Sequence, residues 1–216
     1  MAVAVKKSRL YGGLSAEERR TERRARLIEA AIKVYGEVGY RNATVKTVCA
    51  AAELTERYFY ESFANSEVLL IAAYIDVTER LHAEMMAAGD AARGAARTAS
   101  VLTLYFTRLQ ENPQPARVFL LEMHGIGAAV DAVQMDAMNR MSSVLLPRAA
   151  DGADAKFAAK APMSLAEIGA MGAVISIAQR WVAQDYQQPI GEVIATAAQF
   201  CRVALSESES SRKIRA

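Results

Sequence analysis

TVKTVCAAAELTERYFYESF, residues 44–63, holds two short apolar patterns at helical spacing with a turn between them, and its reading decides the fold. Thr44 stands where an N-cap is needed, and Val45, Val48, Cys49 and Ala52 form the inner face of a first short helix. Ala52-Glu53-Leu54 makes a tight turn, and Thr55 caps a second short helix that runs to Phe63. Leu54, Phe59 and Phe63 turn inward together. That leaves Arg57, Tyr58 and Tyr60 for the outer face, and a merely solvated face seldom carries tyrosines beside an arginine.

A longer helix precedes this pair. Ser15 and Glu18 form a capping box, and Leu27, Ala31, Val34, Tyr35 and Val38 recur on one face before Gly39 closes the helix. Three helices in about 50 residues, the last two short and tightly joined, suggest a helix-turn-helix. In such a unit the second helix of the pair enters the major groove by its N-terminus. Thr55, Glu56, Arg57 and Tyr58 then lie nearest the base edges. An arginine bonded in bidentate fashion to guanine contributes about 1–3 kcal/mol of discrimination. Tyr60 and Ser62 stand where hydroxyls could hold phosphates, and Thr44, Val45 and Lys46 form a helix start whose free N–H groups favour anions. A plain three-helix core with the same ring spacing is the competing reading.

Charge points the same way. The whole chain carries only +2, but residues 1–63 hold 12 Lys and Arg against 8 Asp and Glu. The excess sits between Lys6 and Arg26, and the segment reads as either a solvated tail or a phosphate-binding arm.

The rest of the chain reads as helix throughout. Asn65 caps a fourth helix running past Met86, and a looser stretch at 89–97 separates it from a fifth at about 97–111. The prolines of "NPQP" (112–115) serve as a breaker, residues 116–127 give a short sixth helix, and 128–146 a seventh. Residues 147–162 form a loop-rich link, followed by two long helices at about 164–186 and 189–206 and a polar tail expected to be disordered. The expected fold class is therefore all-α. The expected organisation is a basic flexible arm (1–14), a helix-turn-helix unit (15–64), a larger helical unit (65–206) and the tail (207–216).

Eight of nine methionines lie at or beyond Met85, and methionine suits adaptable apolar space. Phe106, Phe119, Met123, Met138, Met141 and Trp181 are candidates to line a cavity, although such stripes are more often plain core. In the last two helices, Leu165, Ile168, Gly172, Ile175, Gln179 and Val182, then Ile190, Val193, Ala197, Phe200 and Ala204, alternate at three and four. Two such helices can form a four-helix bundle with a twin, or pack inside one subunit.

Residues 26–70, RLIEAAIKVYGEVGYRNATVKTVCAAAELTERYFYESFANSEVLL, resemble the DNA-binding domain of TetR-family transcriptional regulators. The resemblance rests on Gly39-Tyr40, Thr44, an apolar-Ala-Ala stretch, Tyr60-x-x-Phe63, Glu67 and Leu69-Leu70. It implies a two-fold dimer, a palindromic DNA operator, and a small, largely apolar effector held in the later helices. It implies repression as the commoner mode. It also implies a glycine in the turn, where this chain has Glu53, and commonly histidine and lysine where this chain has Ser62 and Ser66. A positive φ at Glu53 would cost roughly 1 kcal/mol or more.

Other functions find little support. Two cysteines in no metal-ligand spacing, two histidines, and the absence of a Gly-x-Ser-x-Gly elbow or phosphate loop leave no catalytic, cofactor or metal constellation. The first ten residues, broken by lysines, are no signal peptide, and the longest apolar run is too short to span a bilayer, so a cytoplasmic protein is expected. The alternative function is a helical ligand-binding or protein-interaction module with weak or lost DNA binding.

Overall fold

The computed structural model describes residues 15–93, 95–146 and 163–215, and these are helical with no strand. The basic arm (1–14) and the link (147–162) fall outside them. In chain order the helices are α1 (Ala16–Val38), α2 (Val45–Ala51), α3 (Glu56–Ser62), α4 (Ser66–Asp90), α5 (Ala95–Glu111), α6 (Pro113–Leu120), α7 (Ala128–Leu145), α8 (Leu165–Ala183) and α9 (Ile190–Arg215), with a single 3-10 turn at Tyr40–Asn42.

Side-chain caps fix several of the starts. Glu18 N–H donates to Ser15 Oγ at 3.1 Å, and Ser15 N–H donates to the Glu18 carboxylate at 2.6 Å, which holds that carboxyl below its ordinary range. Thr44 and Thr47 cap α2 in the same reciprocal way, and Asn65 Oδ1 accepts from Val68 N–H at 2.9 Å. Thr55 precedes α3 in extended backbone, but its hydroxyl makes no capping bond.

Three boundaries differ from expectation. Pro113 starts α6 instead of breaking the chain, because a first-turn residue needs no N–H partner. That helix ends at Leu120, so residues 121–127 are a turn. The backbone of α9 continues to Arg215, through the segment expected to be disordered; the run has no proline or glycine to stop it. Val38, read as part of the buried face of α1, is exposed.

In the N-terminal unit α1 packs against α2 and α3, burying Leu27, Ala31, Val48, Cys49, Phe59 and Phe63. Full burial of a ring such as Phe59 stabilises by about 1.5–3 kcal/mol. The unit joins the rest through α1 against α6 and α4, and buried apolar residues form one continuous cluster from Leu27 to Ala204. Gly36 permits a close approach of α1 to α6. A Cβ there would lie 2.5 Å from Gln114 Cα on α6. Beyond it, α4 packs on α5 and α7, and α9 packs on α8 and α5. No helix among the described residues is long and apolar enough to cross a membrane.

Candidate nucleic-acid interface

The two faces of α3 separate as its sequence requires. Phe59 and Phe63 are buried with ring centroids 6.1 Å apart, and Phe59 also meets Tyr60 edge-on at 5.1 Å. On the other side the Arg57 side chain is 83% exposed and Tyr60 is 61% exposed. Thr44, Lys46 and Thr55 are exposed beside them. These five groups lie on the outward surface of α2 and α3.

The remaining expected contacts are engaged elsewhere. Tyr58 is half-buried, with the Arg23 guanidinium 4.4 Å above its ring, so a residue read as free faces α1 instead. Ser62 Oγ donates to the Tyr58 carbonyl at 2.9 Å, as serine does inside a helix, and this spends its proton. Val45 is half-buried and packs against the core.

Arginines on α1, part of the basic excess between Lys6 and Arg26, pack beside α3. Besides Arg23 on Tyr58, the Arg24 guanidinium lies 5.0 Å from the Phe63 ring, and Arg20 Nη2 donates to the Glu61 carbonyl at 3.3 Å. Glu61 works against them: its carboxylate accepts from Arg57 Nε at 3.0 Å and lies 3.9 Å from Arg23. The turn residue Glu53 has φ +53°, the left-handed conformation that favours glycine. Arg26 steadies this turn by donating to the Ala52 carbonyl at 2.6 Å.

The candidate cavity residues divide. Phe119, Met138 and Met141 line a small cavity between α4, α6, α7 and α8, together with Tyr74, Leu120, Gln134, Ile175 and Gln179. Its volume of about 20 Å³ holds about one water. Phe106 and Met123 are buried core outside it, with the Phe106 ring 5.8 Å from that of Trp181. Trp181 lines a different, open groove with Ile177, Arg180 and Val193, and its indole N–H donates to the Gln188 carbonyl at 2.9 Å. A further cavity of about 240 Å³ lies between α1, α4, α5 and α6. Arg80, bonded to Glu29 and Asp76, and Arg108, bonded to Glu84, stand on its wall, and nothing in the apolar periodicity announced it.

The candidate dimer residues divide as well. Leu165, Ile168, Gly172 and Phe200 lie on an exposed face of α8 and α9, with Leu165 87% exposed, and Ile175 is half-buried. Val203, not singled out from sequence, is exposed like them. Val182, Val193, Ala197 and Ala204 are buried within the subunit, so they cannot offer their side chains to a twin. Three-four spacing is the same whether the partner helix belongs to the same chain or another. Among the described residues no group of three or more His, Cys, Asp or Glu could hold a metal ion.

Residues 27–73 match the family model of bacterial regulatory proteins of the tetR family. No curated protein matches the chain in sequence. Among solved structures, the fatty acid degradation regulator FadR from Bacillus halodurans superposes with a TM-score of 0.67 at 18% identity, over 83% of this chain and 94% of that one. FadR from Bacillus subtilis, solved in complex with stearoyl-CoA, gives 0.66 at 18% identity over 84% and 97%. A tetR-family regulatory protein from Rhodococcus RHA1 gives 0.57 at 22% identity over 86% and 96%. At these identities the structural likeness speaks for the fold, and the matched N-terminal segment speaks for the family. Residues 27–73 thus carry the DNA-binding segment described for the tetR family, and the whole chain shares the fold of these tetR-family structures.

Proposed function

We propose that the chain is a dimeric repressor that reads a palindromic DNA operator through α3 and is released by a small, largely apolar effector. The observation that carries the reading is the division of α3: Phe59 and Phe63 clamp it to the scaffold while Arg57, paired with Glu61 on the same helix, and Tyr60 face solvent. Lys46 and the arginines of α1 supply charge for phosphates on either side. Two copies joined through Leu165, Ile168, Gly172, Phe200 and Val203 would set two α3 helices on one duplex, which calls for a two-fold site.

The effector would enter between α4, α6, α7 and α8. The lining there is aromatic, methionine and neutral amide, so an uncharged molecule fits it better than an ion. Methionines can re-pack to admit it. FadR from Bacillus subtilis was solved with stearoyl-CoA, and its acyl chain supports a ligand with a long apolar part for the same fold. Such a regulator acts where the chromosome is, in the cytoplasm.

Glu61, bonded to Arg57, and the spent Ser62 hydroxyl favour a second reading, a helical ligand-binding or protein-interaction module with weak DNA binding. Fluorescence anisotropy with a duplex from upstream of its own coding sequence separates the two. A repressor binds that duplex far more tightly than a scrambled one of equal length. Equal, weak binding to both would contradict the operator-reading assignment.

A further inference from the structure

The N-terminal unit is held to the rest of the molecule by more than the continuous helix α4. The turn at 121–127 reaches across to the residues between α1 and α2. Tyr40 N–H donates to the Glu122 carboxylate at 2.7 Å, a partly buried bond between residues far apart in sequence. Arg41 Nη2 donates to the carbonyls of His124 at 3.5 Å and Gly125 at 3.2 Å. Gly125, at φ +67°, gives the turn the bend that presents those carbonyls together.

On its other side the same turn is tied to the cavity. Gln179 of α8 lines the cavity, and its Nε2 donates to the Leu120 carbonyl at 3.0 Å and lies 3.3 Å from His124 Nε2. Phe119 and Leu120, the last residues of α6, are also cavity wall. One short segment therefore forms part of the cavity wall and grips Tyr40 and Arg41. Both belong to the 3-10 turn that leads through Ala43 to Thr44, the cap of α2.

We infer that Gln179, Glu122 and Arg41 form a relay through which occupation of this cavity repositions the DNA-reading helices, with Gln179 sensing a hydrogen-bond acceptor on the effector. This rests on the effector reading proposed above. A neutral apolar ligand that carries one carbonyl or ether oxygen takes the Gln179 N–H from Leu120 and His124 and displaces the Phe119–Leu120 wall. The turn moves with that wall because Leu120 is covalently continuous with it. Tyr40 and Arg41 follow because their partners are on the turn. Two arrangements of one packed segment, biased from the cavity, are sufficient for coupling between the sites.

The test uses the full chain and needs no identified ligand. Gln179→Leu removes the sensor bond and Glu122→Ala removes the grip on Tyr40. Gln110→Leu, at the exposed end of α5, is the control. Native-state hydrogen exchange of the 39–47 backbone is followed in each, beside thermal unfolding. Both test variants should exchange about tenfold faster in that segment while the control matches wild type. Operator affinity should change by about fivefold or more in both, in the same direction, with the double variant changing by less than the product. Unchanged exchange at 39–47 in Gln179→Leu, with Glu122→Ala accelerated, would overturn the sensing step. Unchanged exchange in both would overturn the relay altogether. The exchange readout needs no DNA, so a protein that failed to bind its operator would contradict the function proposed above and leave this test intact.

Discussion

Gly36→Ala sets two well-measured effects against each other. Within an ordinary helix, alanine is favoured over glycine by about 1 kcal/mol. Here the new Cβ would lie 2.5 Å from both Cα and Cβ of Gln114, and 2.7 Å from its carbonyl oxygen. Carbon atoms rest at about 3.5–4.0 Å, so α1 and α6 must part by about 1 Å. The obstacles are mainly backbone, which cannot swing aside as a side-chain tip can. Overpacking of this kind costs about 1–3 kcal/mol, and the upper end applies. The net result is a loss of about 2 kcal/mol, or about 4–8 °C in Tm for a chain of this size. Gly191→Ala is the comparison, since nothing lies within 4 Å of a Cβ there. Circular dichroism melts at equal protein concentration should show Gly36→Ala clearly below wild type and Gly191→Ala at or slightly above it. A Gly36→Ala melt at or above wild type would refute the close α1–α6 approach, and with it the idea that this contact fixes the orientation of the reading unit.

Three further outcomes are expected. Glu53→Gly relieves a left-handed backbone and should raise stability in urea by up to about 1 kcal/mol, the exposed pair with Arg26 being a small loss; a lower stability would mean the turn is not strained. Ile168→Asp and Phe200→Asp each put a charge on the exposed α8–α9 face and should give folded monomers by light scattering; dimers that persist in both would move the interface elsewhere. Burial pushes the Cys201 thiol up to about 11 and raises that of Cys49, so at pH 8 both stay protonated and neither should react with Ellman's reagent until the chain unfolds; fast labelling of the native protein would contradict their burial.

What could be read from sequence follows from the range of the interactions. Ser15, Thr44 and Asn65 mark helix starts because a cap involves residues only three apart. Phe59 and Phe63 are legible as the clamp because four-residue spacing defines a helix face. Spacing alone puts Tyr58 on the outward face, since its partner Arg23 is brought to it only by the packing of α3 on α1. Val182 and Ala197 show the same limit, since periodicity names a buried face and not the element that buries it. Nothing local could have linked Glu122 to Tyr40 or Gln179 to His124; those contacts exist only once α6 and α8 are in place. The positive φ at Glu53 matches what the family resemblance implies for that position, where a glycine is usual.

The central claim is that α3 offers its polar face to DNA, and the salt dependence of binding to the promoter duplex tests it most directly. Wild type should lose affinity steeply and linearly in log–log form as salt rises, and Arg57→Ala should bind about 5- to 150-fold more weakly at fixed salt. Binding that ignores salt, or an Arg57→Ala protein with wild-type affinity, would contradict the account.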